Sequence, residues 1–469
     1  DSRMGGRLLA EVEEIDGLPG PDWVETVLEK LGGMDNVTLM PRTTVTGAYD
    51  QGTFGALERV AHHLKAPSDL PRECFWRFAA KRTILCAGAL ERAIAFRDND
   101  RPGVMTAGAV RAYLNRWGVV GGKRVAVFGS GDDAHRTARD LTAAGVEVTA
   151  LIDARDDATT DLDLPFHAGA QVARAHGRLG LTGVTLQRPG RADCRVEADI
   201  LAVSGGWNPS VHLTCHMNGR PVWRDDIAAF IPSDGAVPGL ESAGAAAGFF
   251  STHGALESGQ AAAKVALADL GFKAPDLALP QAEDVPYRMS PLWTVPGKGR
   301  AWLDFQNDVT VKDVVQAAKE NFRSVEHMKR YTTQGMATDQ GKNSNVAALA
   351  ILADATGRTI PETGTTTFRP PFTPVAIVAM AAGAQGQGFQ PERKTTSHAK
   401  SVAMGAPMIE AGLWFRPSYF PRAGEKTWRA ACDREVRMVR ETVGICDVST
   451  LGKIDIQGPD AAAFLDLIY

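Results

Sequence analysis

Residues 123–134 read KRVAVFGSGDDA, and this stretch decides the fold class. Residues 124–128 are a short apolar run, which predicts a buried strand. Gly129-Ser130-Gly131 then predicts a tight turn, and residues 134–144 have the composition of a helix. A second apolar run over 146–152 ends at Asp153. Strand, glycine turn, helix and strand with an acid at its tip are typical of a Rossmann-type βαβ unit, so we expect an α/β fold.

Two aspartates follow this glycine turn, which is unusual for a nucleotide site. Asp132 and Asp133 stand where a diphosphate would lie in the G-x-G-x-x-A pattern. Their carboxylates would repel the phosphates and would themselves satisfy the free N–H groups at the helix start. The sequence therefore favours an empty turn in this inner unit, although the fingerprint itself leaves nucleotide binding open.

Four further segments are typical of a second, outer dinucleotide-binding unit. In chain order they read DSRMGGRLL at 1–9, TTVTG at 43–47, LCAGALER at 85–92 and ESAGAAAG at 241–248. The first would end a strand beside the adenosine ribose, and its Gly-Gly pair would let the chain turn close to the nucleotide. A helix is predicted to open near Thr252, where its N-terminus could hold an anion. Each segment alone also fits a plain turn or close packing, but their order predicts the unit.

The ends of the sequence indicate a piece of a longer protein. The chain opens at Asp1 without a methionine and stops at Tyr469 within an apolar helical pattern. We therefore expect the glycine fingerprint of the outer unit to lie upstream of Asp1.

Composition narrows the class of protein. The 469 residues allow two to four domains, and the formal net charge of −4 argues against a general nucleic-acid binder. The longest apolar stretch, 375–384, is about half of what a bilayer requires, so we expect no membrane span and a cytoplasmic protein. The six cysteines form no C-x-x-C pair, and His253, His327 and His398 are isolated, so we expect reduced thiols and no metal site.

Four stretches carry a resemblance to one family. They read NDRPGVM at 99–105, HMKRYTTQGMATDQGK at 327–342, GTTTFRPP at 364–371 and VGICDVSTLGK at 443–453. Together they resemble the α subunits of heterotetrameric sarcosine oxidases, and the last resembles the start of the glycine-cleavage aminomethyltransferase (T-protein) fold. The resemblance implies two FAD/NAD-type, Rossmann-like domains, a small helical domain and the beginning of an α+β aminomethyltransferase-like domain.

The expected domain bounds follow from these segments and from a Pro-, Asp- and Ala-rich linker. They are 1–105 for the first part of the outer domain, 106–205 for the inner domain, 206–275 for the return of the outer domain, 276–304 for the linker, 305–372 for the cysteine-free helical domain and 373–469 for the aminomethyltransferase-like part.

The resemblance also implies an activity. Members oxidise sarcosine to glycine, reduce oxygen to hydrogen peroxide, and release the methyl carbon as formaldehyde or transfer it to tetrahydrofolate. Their α subunit binds a non-catalytic NAD in the outer domain. FAD belongs to the β subunit, a covalent FMN lies near the α–β contact, and γ and δ subunits complete the complex.

Carried onto this chain, the NAD contacts fall on six residues. They are Asp1, Arg7, Val45, Ala245, Phe250 and Thr252. Arg7 and Phe250 depart from the residues expected at these positions. The resemblance assigns no catalytic residue to the chain, and it places the folate-gripping residues beyond Tyr469.

Two other functions fit parts of the sequence. One is an NAD(P)H/flavin dehydrogenase subunit for an opine, hydroxyproline or another N-methyl amino acid, whose relatives carry clustered cysteines for an iron–sulfur cluster. Residues 309–371 contain no cysteine, so thiolate ligation is impossible there and the sarcosine oxidase branch is favoured. The other is a folate-dependent one-carbon transferase that retains a flavoprotein domain as a scaffold. Adjacent genes for three companion subunits would favour the oxidase.

Overall fold

The strand predicted from residues 124–128 is the centre of the inner domain. The computed structural model describes residues 1–66 and 69–469, and in it strand Arg124–Gly129 is the middle member of a five-stranded parallel sheet. The strands of that sheet, in spatial order, are Phe166–Ala168, Glu147–Asp153, Arg124–Gly129, Ile200–Ser204 and Val104–Thr106. The α/β prediction is confirmed.

Both faces of this sheet are covered, which explains why the central strand is apolar throughout. Val125 and Val127 pack against helices Ala107–Trp117 and Asp132–Ala143 on one face. Ala126 and Phe128 point to the other face, against an antiparallel sheet. The strands of this second sheet are Gln171–Gly177, Leu181–Gln187 and Cys194–Val196.

The outer domain is assembled from segments on both sides of the inner one. Strand Thr83–Leu85 pairs in parallel with Leu240–Ser242, and strand Ala89–Glu91 pairs with Trp207–Pro209 in the antiparallel sense. Its other strands are Glu14–Ile15, Leu18–Pro19, Thr43–Tyr49, Thr53–Glu58, Cys74–Ala79, Val222–Arg224 and Ala229–Ile231. Its helices are Gly20–Gly32, His212–His216 and Thr252–Asp269, with 3-10 turns at Gly6–Ala10 and Gly244–Ala247.

Three local sequence patterns predict elements that differ from those in the structure. Asp22 precedes a helical apolar pattern and would be expected to cap a helix, but helix Gly20–Gly32 begins before it, and Pro21 occupies the first turn. The composition of residues 36–46 predicts a strand, whereas the strand begins only at Thr43 and runs to Tyr49. The helical spacing over 311–331 predicts one helix, but there are two, because Asn321 adopts a left-handed conformation and Ser324 caps the second one.

The helical region is small and has its own core. Its helices are Val311–Lys319, Val325–Thr332, Asn345–Thr356 and Ile360–Thr363, with strands Trp302–Asp304 and Val309–Thr310. Val314, Met328 and Leu352 are at most 1% exposed and belong to one hydrophobic cluster. Residues 271–300 contain no helix and no strand longer than an isolated bridge, and these bridges join them to the two dinucleotide-type domains.

Contacts divide the chain into two units, Asp1–Ala379 and Met380–Tyr469, which are described separately. A short helix, Ile377–Ala381, contains the division. The elements of the second unit are the 3-10 turn Gly386–Gly388, helices His398–Ala403, Trp428–Glu441 and Ala461–Ile468, and strands Arg393–Lys394, Met408–Ala411 and Trp414–Pro417. Across the part of the chain that the structure describes, no helix combines the length and hydropathy needed to span a bilayer.

The buried His212, in helix His212–His216, packs against the segment that contains the GTTTFRPP sequence. The His212 ring lies 4.2 Å from the Phe368 ring and 4.7 Å from the Phe372 ring, measured between centroids. Burial lowers the pKa of His212 to about 3, since an imidazolium would be desolvated there. The imidazole is therefore neutral in the folded chain at neutral pH.

This gives a pH-dependent stability. The unfolded chain takes up a proton at the ordinary histidine pKa of about 6.5, whereas the folded chain does so only near 3. The contribution of His212 is therefore fully present above about pH 6.5 and is lost as the pH falls towards 3. We expect H212F to flatten the loss of unfolding free energy between pH 6.5 and 4.5, measured by urea denaturation. H63F, at an exposed position, should retain the wild-type slope.

Candidate functional site

Two adjoining cavities form one cleft, called the outer cleft below, which is lined mainly by residues of the outer domain. The larger has a volume of about 560 Å³ and the smaller about 270 Å³. Residues common to both are Arg7, Glu11, Cys86, Gly88, Ala245 and Phe250. The outer cleft thus runs between the first turn of the chain and the loop around Ala245, and its volumes are typical of small-molecule sites.

Glycines and small residues open this cleft. Gly5 and Gly6 have φ values of 130° and 56°, a backbone conformation that turns the chain and that other residues rarely adopt. A Cβ placed on Gly6 or on Gly88 would meet no atom within 4 Å, so both positions border open space. Opposite them, Gly244 and Ala245 line the cleft and have no side chain larger than a methyl group. A ligand could therefore approach the backbone closely on either side.

A helix N-terminus faces the smaller cavity. Helix Thr252–Asp269 has 18 residues and begins with Ser251, whose hydroxyl accepts the Gly254 N–H at 3.0 Å. Ser251 and Thr252 both line the smaller cavity. Free N–H groups and the helix dipole at such an end favour an anion, and a diphosphate is one.

Arg7 lies at the junction of the two cavities. Its Nε donates to the Glu11 carboxylate at 2.6 Å, and its guanidinium lies 5.4 Å from the centre of the Trp207 ring. The side chain also lies 3.5 Å from the Phe250 carbonyl oxygen. Arg7 therefore places a positive charge beside the helix N-terminus, where a phosphate group would need it.

A buried group of charges lies directly behind Arg7. The Arg111 side chain is 2% exposed and forms ion pairs with Glu11, with Asp133 at 3.5 Å and with Asp140 at 3.5 Å. Burial alone would raise the pKa of Asp133, but Arg7 and Arg111 hold that pKa below its usual value. Asp133 thus belongs to an inner-domain helix, and its buried carboxylate also interacts with Arg7 of the outer domain.

Four of the six sequence-predicted contacts line the outer cleft. Arg7, Ala245, Phe250 and Thr252 do so, whereas Asp1 and Val45 do not. The Asp1 carboxylate is held by Arg116 at 2.8 and 3.1 Å. Val45 is 38% exposed on strand Thr43–Tyr49.

The sequence did not single out Glu91 or Trp207, which form the inner end of the larger cavity. Glu91 is 8% exposed, and one of its oxygens accepts the Gly108 N–H at 2.5 Å. Burial, and then the nearby Asp133, raise the pKa of Glu91 to about 7. Glu91 lies in the 85–92 segment, so membership of that nucleotide motif is the sequence signal that could have identified it. The sequence does not show that Glu91 is buried.

The inner glycine turn is covered by the linker. Gly131 forms a bridge with Met289, and the Ser290 N–H donates to the Ser130 carbonyl at 2.8 Å. Asp132 accepts the Arg288 N–H at 3.1 Å and pairs with Arg155 at 2.8 Å. Linker backbone and the Asp132 carboxylate therefore lie directly against the inner glycine turn.

The acid at the tip of the next strand is also occupied. Asp153 is fully buried and is bound by His135 at 2.7 Å and by Arg155 at 2.8 Å. In nucleotide-binding units of this type an acid at that place receives the ribose hydroxyls. Here its oxygens are used within the chain.

Among residues 1–66 and 69–469, no three His, Cys, Asp or Glu side chains are grouped so that they could hold a metal ion.

Family models match the C-terminal part of the chain. The model described as the sarcosine oxidase A3 domain matches residues 298–384, and the GCVT N-terminal domain model matches residues 397–469. The predicted start of an aminomethyltransferase-like domain is thereby confirmed.

Curated relatives match the chain from end to end. The sarcosine oxidase subunit alpha of Rhizobium meliloti is 44% identical over 478 residues, which cover 100% of this chain and 48% of the relative. The protein of the same name from Corynebacterium sp. strain P-1 is 41% identical, covering 100% of this chain and 51% of the relative. The resemblance to sarcosine oxidase α subunits is confirmed. The chain spans about half the length of these relatives.

A solved structure supports the fold. The L-proline dehydrogenase of P. horikoshii superposes with a TM-score of 0.61 at 20% identity, covering 81% of this chain and 72% of that protein. At this identity the likeness concerns the fold alone.

The buried ion pairs give a stability prediction. R111M would leave the Glu11, Asp133 and Asp140 carboxylates without their buried cation, so we expect a loss of about 3–5 kcal/mol in unfolding free energy. R139M removes a pair with Asp161 whose side chains are 53% and 76% exposed, and it should cost less than about 1 kcal/mol. Urea unfolding midpoints compare the two variants, and equal midpoints would contradict the role given to Arg111.

Proposed function

We propose that the outer cleft binds an adenine dinucleotide, NAD, and that the inner glycine turn binds none. The observation that carries the proposal is the position of the cleft. It lies between the Gly5-Gly6 turn and Ala245, beside the N-terminus of helix Thr252–Asp269. The covering of Gly131 by Met289 supports the second half.

The residues of the cleft fit such a ligand. The diphosphate would lie along Ala245, the helix N-terminus and Arg7, which supply small side chains, oriented N–H groups and a positive charge. Phe250 and Trp207 offer apolar surface for rings. Asp1 and Val45 remain proposed contacts at the adenosine end, outside the two cavities.

We further propose that the whole protein is the α subunit of a sarcosine oxidase. Such an enzyme converts sarcosine, oxygen and water into glycine, formaldehyde and hydrogen peroxide, with tetrahydrofolate as the alternative acceptor of the methyl carbon. The full-length similarity to α subunits supports this, and the aminomethyltransferase-type domain fits a folate site. In this proposal FAD and FMN accept and pass on the electrons within a complex with β, γ and δ subunits. The NAD held by this chain takes no part in the oxidation.

Cys86 provides a direct test, because it lines both cavities. We would label Cys86 with iodoacetamide in a chain in which the exposed Cys194 and Cys446 are serines. Burial raises the pKa of the Cys86 thiol, so labelling is best followed near pH 8.5, where more thiolate is present. Saturating NAD should slow the labelling of Cys86 specifically, and calorimetry should show binding to the nucleotide-free chain.

A matched pair of variants locates the ligand. A245L places a larger side chain within the cleft and should weaken NAD by about tenfold or more, equivalent to about 1.4 kcal/mol. A247L lies on the same 3-10 turn but does not line the cleft, so it should bind as the wild type does. Labelling that is equally fast with and without NAD would refute the proposed site.

A further inference from the structure

The larger cavity continues past Arg7 to an inner end. Glu91, Thr106, Gly108, Trp207 and Asn343 line this end, none of which belongs to the smaller cavity. If the diphosphate lies at the stretch that both cavities share, the two halves of a dinucleotide must extend in opposite directions. One half is then received by this inner end.

The shape of the inner end depends on a glycine. A Cβ on Gly108 would lie 2.8 Å from a Glu91 carboxylate oxygen and 3.2 Å from the Trp207 ring. Gly108 therefore allows the carboxyl and the indole to lie side by side. Strand pairing between Glu91 and Trp207 fixes the same arrangement from the backbone.

The Glu91 carboxyl is only partly satisfied. Its Oε2 accepts the Gly108 N–H, whereas its buried Oε1 has no partner within hydrogen-bond distance among the residues that the structure describes. The Ser204 hydroxyl lies close enough to the carboxyl to lower its pKa, but it does not satisfy Oε1 by distance. The charged or titratable side chains that act on it are Asp133, Arg111 and Tyr287. Arg111 already forms ion pairs with Glu11, Asp133 and Asp140. A buried acceptor left without a partner is costly, and a ligand of positive charge would offset that cost.

The side chains that line the inner end suit a ligand that is a cation with a planar ring. A carboxylate attracts a positive charge strongly where water is excluded, and an indole face attracts cations as well. The exposed Asn343 amide adds both a hydrogen-bond donor and an acceptor. The oxidised pyridine ring of NAD carries one positive charge and a carboxamide, whereas the reduced ring is neutral.

We propose that Glu91, with Trp207 beside it, determines specificity at this inner end by recognising the positively charged pyridine carboxamide ring of an oxidised dinucleotide. This inference rests on the proposed dinucleotide site and adds which end of the cleft holds the ring and which redox form is preferred. Because the pKa of Glu91 is raised to about 7, the preference strengthens as the pH rises through neutrality.

The test compares three ligands by calorimetry on the nucleotide-free chain at pH 6 and pH 8. NAD⁺ carries the charged ring, NADH the neutral ring, and ADP-ribose no pyridine ring. For the wild type at pH 8 we expect NAD⁺ to bind about tenfold more tightly than NADH or ADP-ribose, equivalent to about 1.4 kcal/mol. At pH 6 we expect a smaller difference in affinity between NAD⁺ and the other two ligands.

E91Q is the matched variant, because it keeps the shape of the side chain and an oxygen that can accept the Gly108 N–H, while an NH2 donor without charge replaces the second carboxylate oxygen. We expect E91Q to bind ADP-ribose within about twofold of the wild type, to lose most of the preference for NAD⁺, and to show no pH effect on it. Unfolding midpoints confirm that the variant is folded.

Two results would overturn the inference while leaving the dinucleotide site intact. One is an equal loss of affinity for all three ligands in E91Q, which would mean that Glu91 acts only through the fold. The other is an unchanged NAD⁺ preference. Failure of the wild type to bind any of the three ligands would instead remove the proposed function together with the inference.

Discussion

Asp133 is the residue on which the two dinucleotide-type domains of this chain depend. It stands at the start of the inner helix Asp132–Ala143, where a phosphate would otherwise lie, and its carboxylate is buried. Arg111 lies at 3.5 Å and Trp207 donates to it at 2.5 Å. A buried carboxylate is tolerated only with such partners, so the inner helix, the neighbouring helix and the strand that forms the wall of the outer cleft must stay together. One acidic side chain thereby stands at the helix start of the inner domain and supports the wall of the outer cleft.

Much of the inner domain could be predicted from sequence, because local signals agree there. The apolar run, the glycine turn and the acid at Asp153 fall within 30 residues and specify a βαβ unit on their own. Local patterns failed where a tertiary or capping detail decides. Residues 311–331 have a continuous helical period, yet the left-handed Asn321 and the Ser324 cap divide them into two helices. Helical periodicity does not register such an interruption when the apolar face continues across it.

The candidate site could likewise be predicted only in part from the sequence. Arg7, Ala245, Phe250 and Thr252 occupy recognisable segments, and the structure brings them to one cleft although up to 245 positions of chain separate them. Glu91 could be seen as part of a motif, but its raised pKa could not, because that property comes from burial and from Asp133, which is 42 positions away. The sequence shows which side chains can carry a charge, whereas the fold creates the environment that sets their protonation state.

The linker contacts both the inner turn and the helix that faces the outer cleft. Within the linker, Asp284 accepts a hydrogen bond at 2.6 Å from Ser251, the residue that caps this helix. Six residues later, Ser290 donates to Ser130 in the inner turn. A nucleotide entering the inner turn would have to displace this backbone, and with it a contact that orders the cap of the outer helix. The segment that covers the inner turn therefore also supports the outer cleft, and for the proposed function this is a physical reason why a chain with two dinucleotide folds would hold one nucleotide.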